Sequence, residues 1–380
     1  MAPPKSAIGD EHSAPDLEIV GTKVTIHPSG FTGGPDAQDD TITERNLVRH
    51  MARFRANPLE FLREVSLYMS GTGWRAYDNV IGQPIFYSGF SERMKSAILA
   101  SPMLQDKVRE LASTRLAVEE KEGLVMIKEG ASMDEKRARR RHELERGLRE
   151  VVDTMMDNMI CKMESKTFIR GAYYMCTQLL TRAYHQGIHV SSEEVLRLRS
   201  VAETAAKNKQ SIVFLPCHKS HVDYVSLQLI CYRLGIGLPV VVAGDNLNIP
   251  LLGPFLQHAG KYRYKSGSYS NLVLISTSGA MWIRRSFGND PLYHTVVQAY
   301  IDTLLQQGFN FECFIEGGRS RTGKLLSPKF GILNFIVESV LSGRVKDTII
   351  CPVSTQYDKV IETEYGYRCT ISCELNTDLV

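Results

Sequence analysis

From Thr41 onward, apolar residues recur at the three- and four-residue spacing of a helix face. RNLVRHMARF leads into PLEFLREVSLYMS, where Pro58 suits a first helical turn. The same period runs through MMDNMICKME and YYMCTQLLTRAYHQG to SSEEVLRLRSVAETAAKN, which opens on serine with Glu193 and Glu194 in its first turn. At Ser211 the pattern changes. SIVFLPCH is a short apolar run stopped by proline, and LPVVVAG, FECFIEG and DTIICPVS repeat that form. Helical stretches such as YHTVVQAYIDTLLQQG and PKFGILNFIVESVLSG separate them. Strands alternating with helices predict an α/β fold, a sheet flanked by helices, with chemistry in the loops at strand ends.

The chain therefore divides into a helical N-terminal region at about 41–205 and an α/β domain at about 206–365. Residues 1–40 are rich in Pro, Gly, Ser and Asp without periodicity and read as a disordered tail. The run Met133–Glu150, MDEKRARRRHELERGLRE, is basic, but its acids are interleaved at helical spacing. That pattern describes a solvated helix face rather than a nucleic-acid site.

A net charge of +3 over 380 residues adds no argument for a polyanionic partner. The eight cysteines form no C-x-x-C pair and show no zinc spacing. With no basic-then-apolar leader in MAPPKSAIGDEHSAPDLEIV, they are expected to be reduced thiols of an intracellular protein. The most apolar window, Val225–Ala243, contains Arg233 and glycines and reads as buried helix and strand, with a membrane-dipping hairpin as the alternative.

Four stretches carry candidate chemistry. In FLPCHKSHVDY, His218 and Asp223 lie five apart at a strand end. On a continuous helix that offset is about 500°, so they meet only if a turn intervenes. A histidine held by a carboxylate can take a proton from an alcohol near neutral pH. The chain has no G-x-S-x-G elbow, so the alcohol would be a substrate. Alternatives are His221 as the base, a structural His–Asp pair, or a metal on His218, His221 and Asp223 with no further ligand cluster to support it.

In FIEGGRSRTGK, paired glycines precede Arg319, Arg321 and Lys324, cations suited to phosphate oxygens; a solvated basic loop is the alternative. Gly318–Lys324 spells the start of a P-loop, but Leu325 stands where magnesium binding needs Ser or Thr. In GAMWIRRSF, Arg284 and Arg285 follow an apolar run and suit an anion. TIICPVSTQYD by itself says only sheet.

In this order, the four stretches resemble the glycerol-phosphate acyltransferase family, with its blocks H-x-x-x-x-D, G-x-x-F-I-R-R, F-x-E-G-x-R-S-R and a late V/I-P strand. Trp282 replaces the usual Phe, and Cys351 is a looser fit before the late proline. The similarity runs through DNLNIPLLGPF and KLLSPKFGILN, over about 180–363. It implies that His218 deprotonates an acceptor hydroxyl that attacks an acyl thioester, with Asp223 orienting the histidine. Arg285, Glu316, Gly317, Arg319 and Ser320 match positions that hold glycerol 3-phosphate in the family. CHKSHVDY and EGGRSRTGK look closer to the glycerol-3-phosphate members than to the dihydroxyacetone-phosphate members. No cofactor is implied beyond acyl-CoA or acyl-carrier protein as co-substrate. A membrane surface is implied as partner, with mitochondrial outer membrane, endoplasmic reticulum and peroxisome all open. Acylation of a lysophospholipid, or a non-catalytic lipid-binding role, are the rival readings.

Two departures stand out. Lys261–Gly279, KYRYKSGSYSNLVLISTSG, interrupts the family pattern, and removing it joins Gly260 to Ala280. Gly260-Lys261-Tyr262 can be encoded with the donor-like GTAAGT and Val273-Leu274-Ile275 with the branch-like TACTAAT. A retained intron in a eukaryotic, specifically fungal, gene is expected, with weak or no activity while it is present. Residues 366–380 also leave the pattern, as expected of a truncated chain.

Overall fold

The structure is a computed structural model that describes residues 17–20, 23–26, 57–71, 80–84, 86–123, 132–183, 188–220, 222–244, 279–320 and 324–357. Helices precede the main sheet: α1 (Pro58–Ser70), α2 (Phe90–Leu99), α3 (Pro102–Lys121), α4 (Met133–Met159) and α5 (Lys166–Ala183). Asn57 caps α1 by accepting from Leu59 N, and Ser132 and Glu135 form a capping box on α4. The charged run of α4 turns toward α3. Arg137 pairs with Glu120 at 2.6 Å and Arg140 with the buried Glu119 at 2.8 Å. The Arg140 hydrogen bond holds the Glu119 carboxyl below its ordinary range. Among the described residues, no helix is long and apolar enough to cross a membrane.

After β3 (Ile188–Ser191) and α6 (Ser192–Asn208), the chain enters a parallel five-stranded sheet. Its strands are β4 (Ser211–Pro216), β5 (Val240–Gly244), β6 (Ala280–Ile283), β7 (Phe311–Glu312) and β8 (Thr348–Val353). Helix α7 (Val222–Arg233) leads from β4 to β5, α8 (Pro291–Gln306) from β6 to β7, and α9 (Gly331–Leu341) from β7 to β8. The order is β6-β5-β7-β4-β8, so β4 exits one way and β7 the other. Because parallel crossovers are right-handed, opposite exits place α7 and the α8–α9 pair on opposite faces. Accordingly α7 packs on α5, and α8 on α9 and the N-terminal helices α2–α4. This is the α/β class read from the apolar runs.

Within the expected tail, residues 17–20 and 23–26 form strands. β1 (Leu17–Val20) and β2 (Lys23–Ile26) pair antiparallel with each other, and β2 pairs with β3. LEIV and KVTI supply β-branched residues that suit strands. Their partner lies some 160 residues away, beyond any local pattern. The proposed insert at 261–279, apart from Gly279, and the tail at 366–380 lie outside the described residues.

β4 is the spine of the domain. It pairs with β7 through Val213–Phe311 and with β8 along its whole length. Phe214 is fully buried. Phe214→Ala is expected to cost about 3–5 kcal/mol, read as a lower urea midpoint with unchanged slope.

Candidate functional site

All five strands are parallel, so their carboxyl ends share one edge, where α/β sheets place ligands. β4 breaks after Pro216, and Cys217–Ser220 turn before α7 begins at Val222. That turn supplies the bend the His–Asp offset requires. Nδ1 of His218 lies 3.2 Å from Oδ2 of Asp223. The Asp223 side chain is fully buried and that of His218 is 14% exposed. Asp223 Oδ2 also accepts from the backbone N of Lys219 at 2.7 Å and of Ser220 at 2.8 Å. The tilted Phe314 ring, its centroid 4.2 Å from that of the imidazole, supports the histidine from the β7 side. With Nδ1 against the carboxylate, Nε2 is the nitrogen that can exchange a proton with an alcohol.

The loop after β7 is tied to this turn. Ser320 N donates to the carbonyl of His218 at 3.0 Å, which puts the residue after Arg319 in backbone contact with the histidine. Glu316 is 4% exposed, and both its oxygens are occupied: Oε1 accepts from His218 N at 2.8 Å and Oε2 from Leu326 N at 3.0 Å. The resemblance makes Glu316 a ligand for the acceptor; the geometry uses it to fasten two loops. Gly317 has φ +63, and a Cβ there would sit 2.8 Å from Cδ of Lys329, so only glycine suits this turn. Arg319 is half-buried and makes no ion pair among the described residues. Ser320 Oγ is buried without a hydrogen-bond partner among them, a donor available to an anion.

The remaining cations are placed differently. Arg284 and Arg285 follow β6, on the same edge but three strand positions from β4, roughly 14 Å at ordinary strand spacing. Arg284 pairs with Asp290 at 3.0 Å and lies over the Tyr293 ring at 4.2 Å. Arg285 and Lys324 are exposed. Arg321 and His221, the alternative base, lie outside the described residues.

Two residues escaped the motif reading. Tyr357, four residues past β8, donates its hydroxyl to Asp223 Oδ1. Glu312 of β7 is fully buried 3.4 Å from Gln228 Nε2, with Oε1 unpartnered. Desolvation pushes its carboxyl well above the ordinary range, the Gln228 hydrogen bond opposes this, and the Asp223 charge adds to the rise. Glu312 was visible only as an acid at an alternating position of a buried strand.

Residues 188–356 match the family model described as Acyltransferase. The glycerol-3-phosphate acyltransferase of Shewanella pealeana is 36% identical over 198 residues, 52% of this chain and 21% of that protein. Human dihydroxyacetone phosphate acyltransferase is 32% identical over 227 residues, 58% of this chain and 29% of that protein. The chain thus covers less than a third of the length of either relative.

Proposed function

We propose that this chain transfers a fatty acyl group from a thioester, acyl-CoA or an acyl-carrier protein, to the sn-1 hydroxyl of glycerol 3-phosphate. The observation that carries the reading is the buried Asp223 against His218 Nδ1, in backbone contact with the loop that holds Arg319. His218 Nε2 takes the hydroxyl proton as the oxygen attacks the thioester carbonyl; the tetrahedral intermediate collapses, the C–S bond breaks, and the imidazolium returns the proton to the departing thiolate. Arg319 and the Ser320 hydroxyl would hold the phosphate, with Arg321, Lys324, Arg284 and Arg285 as further cations along the edge. Glu316 and Gly317 would shape that loop. A surface-bound, membrane-associated enzyme suits a long-chain donor.

Dihydroxyacetone phosphate is the second acceptor to test, because the human relative is named for it. Segment 261–279 is proposed as a retained fungal intron that displaces Arg284 and Arg285; transcripts that uniformly contain it refute this. Acyl-CoA consumption is measured with each acceptor, using the 380-residue chain and the chain without 261–279. Deletion is expected to raise turnover about a hundredfold, the usual cost of a misplacement near 1 Å. Equal rates remove the insert from the proposal. No transfer to either acceptor by either form sinks the function.

A further inference from the structure

The end of β8 and the residues after it are tied to the His–Asp turn by several bonds. Cys217 N donates to Val353 O at 3.1 Å, Thr355 N to Cys217 Sγ at 3.3 Å, and Lys219 Nζ to Thr355 O at 3.0 Å. A further bond is that of the Tyr357 hydroxyl to Asp223 Oδ1. Asp223 therefore has its two oxygens divided: Oδ2 serves His218 and two backbone amides, and Oδ1 serves Tyr357.

We infer that Tyr357 is a positioning residue for the acyl-transfer base: its hydroxyl fixes the rotation of the Asp223 carboxylate and sets how strongly that carboxylate draws a proton onto His218. The inference deepens the reading under Proposed function and rests on it for its kinetic part. A donor to a carboxylate stabilises the charged form and lowers its basicity. Withdrawing the donor makes Asp223 a stronger partner for imidazolium, so His218 holds its proton to higher pH. Among the described residues, the other charged or titratable groups near the pair are Lys219 in the same turn, Glu316 and Arg319 in the loop after β7, whose Ser320 amide binds the His218 carbonyl, and the buried Glu312 of β7. None of these touches Oδ1 in the hydrogen bonds around the pair, so a change at Tyr357 acts on that oxygen directly.

The experiment uses the full chain and two substitutions of opposite sign. Tyr357→Phe removes the hydroxyl. It is expected to lower kcat by roughly ten- to a hundredfold, to leave the acceptor KM unchanged, and to move the acid limb of the pH–rate profile to higher pH. Replacing Tyr357 by 3-fluorotyrosine keeps the shape and strengthens the donor, and moves the limb to lower pH. The His218 ring is followed in parallel by NMR titration without substrate, and its midpoint should move in the same two directions. That arm separates the two proposals. Opposite midpoint shifts in a chain that transfers no acyl group uphold the coupling and sink the reaction. Unmoved midpoints sink the coupling, as does a Tyr357→Phe protein that loses stability and activity with an unchanged pH profile. Should Tyr357→Phe not fold, the fluorinated chain alone decides, by a downward shift or none.

Discussion

His218→Ala is expected to lower acyl-transfer turnover by roughly 10²–10⁴-fold, the range a positioned general base supplies, with acceptor KM nearly unchanged. The prediction separates kinetics from folding because the two members of the pair are buried differently. His218 is part-exposed at the edge, and removing its ring takes a contact from Phe314 and one hydrogen bond from the buried Asp223, which keeps two backbone amides and the Tyr357 hydroxyl. Thermal stability should fall by only a few degrees. Asp223 is another matter. Its carboxylate satisfies two backbone amides, an imidazole and a tyrosine hydroxyl, so Asp223→Asn sets an amide NH₂ against donors and costs both fold and rate. A His218→Ala chain that keeps parental turnover at saturating substrate eliminates histidine base catalysis. The base would then have to be sought elsewhere on the strand edge.

The sheet was legible because buried parallel strands read as unbroken apolar runs, as SIVFLP and VVVAG do; TIICPV reads the same way although it is the edge strand and Ile350 is exposed. The His218–Asp223 pair was legible because their five-residue offset makes sense only across a turn, and Pro216 announces one. What stayed hidden were long-range pairings. Tyr357 reaches Asp223 across 134 positions of sequence, and the hairpin of β1 and β2 finds its partner in β3. Arg284 and Arg285 looked alike as a dipeptide, yet Asp290 and Tyr293 engage the first, because α8 starts just beyond and Asp290 is its N-cap. For Glu316 the resemblance implied a role toward the acceptor, and no pattern in FIEGGRSR reveals that both of its oxygens also accept from backbone amides.

Glu316→Ala is the second large effect. The buried carboxylate bridges the amide of His218 to that of Leu326, the one at the base of the turn, the other past the cationic loop. Truncation leaves two donors without an acceptor, and hydrogen bonds to a charged group are the costly ones to lose. A loss of about 2–4 kcal/mol is expected, with Tm falling by roughly 5–10 °C. Turnover should drop by at least about a hundredfold, because the loop that carries Arg319 no longer keeps its distance from His218. Glu316→Gln distinguishes a fastening role from direct recognition of the acceptor. Glutamine keeps one acceptor oxygen but turns its NH₂ toward the other amide, whichever way it rotates. As a fastener it should lose both Tm and kcat by an intermediate amount, with acceptor KM little changed. A Gln variant with parental Tm and a raised KM for glycerol 3-phosphate would show instead that the carboxylate meets the acceptor, and that the two amides can find water when it does.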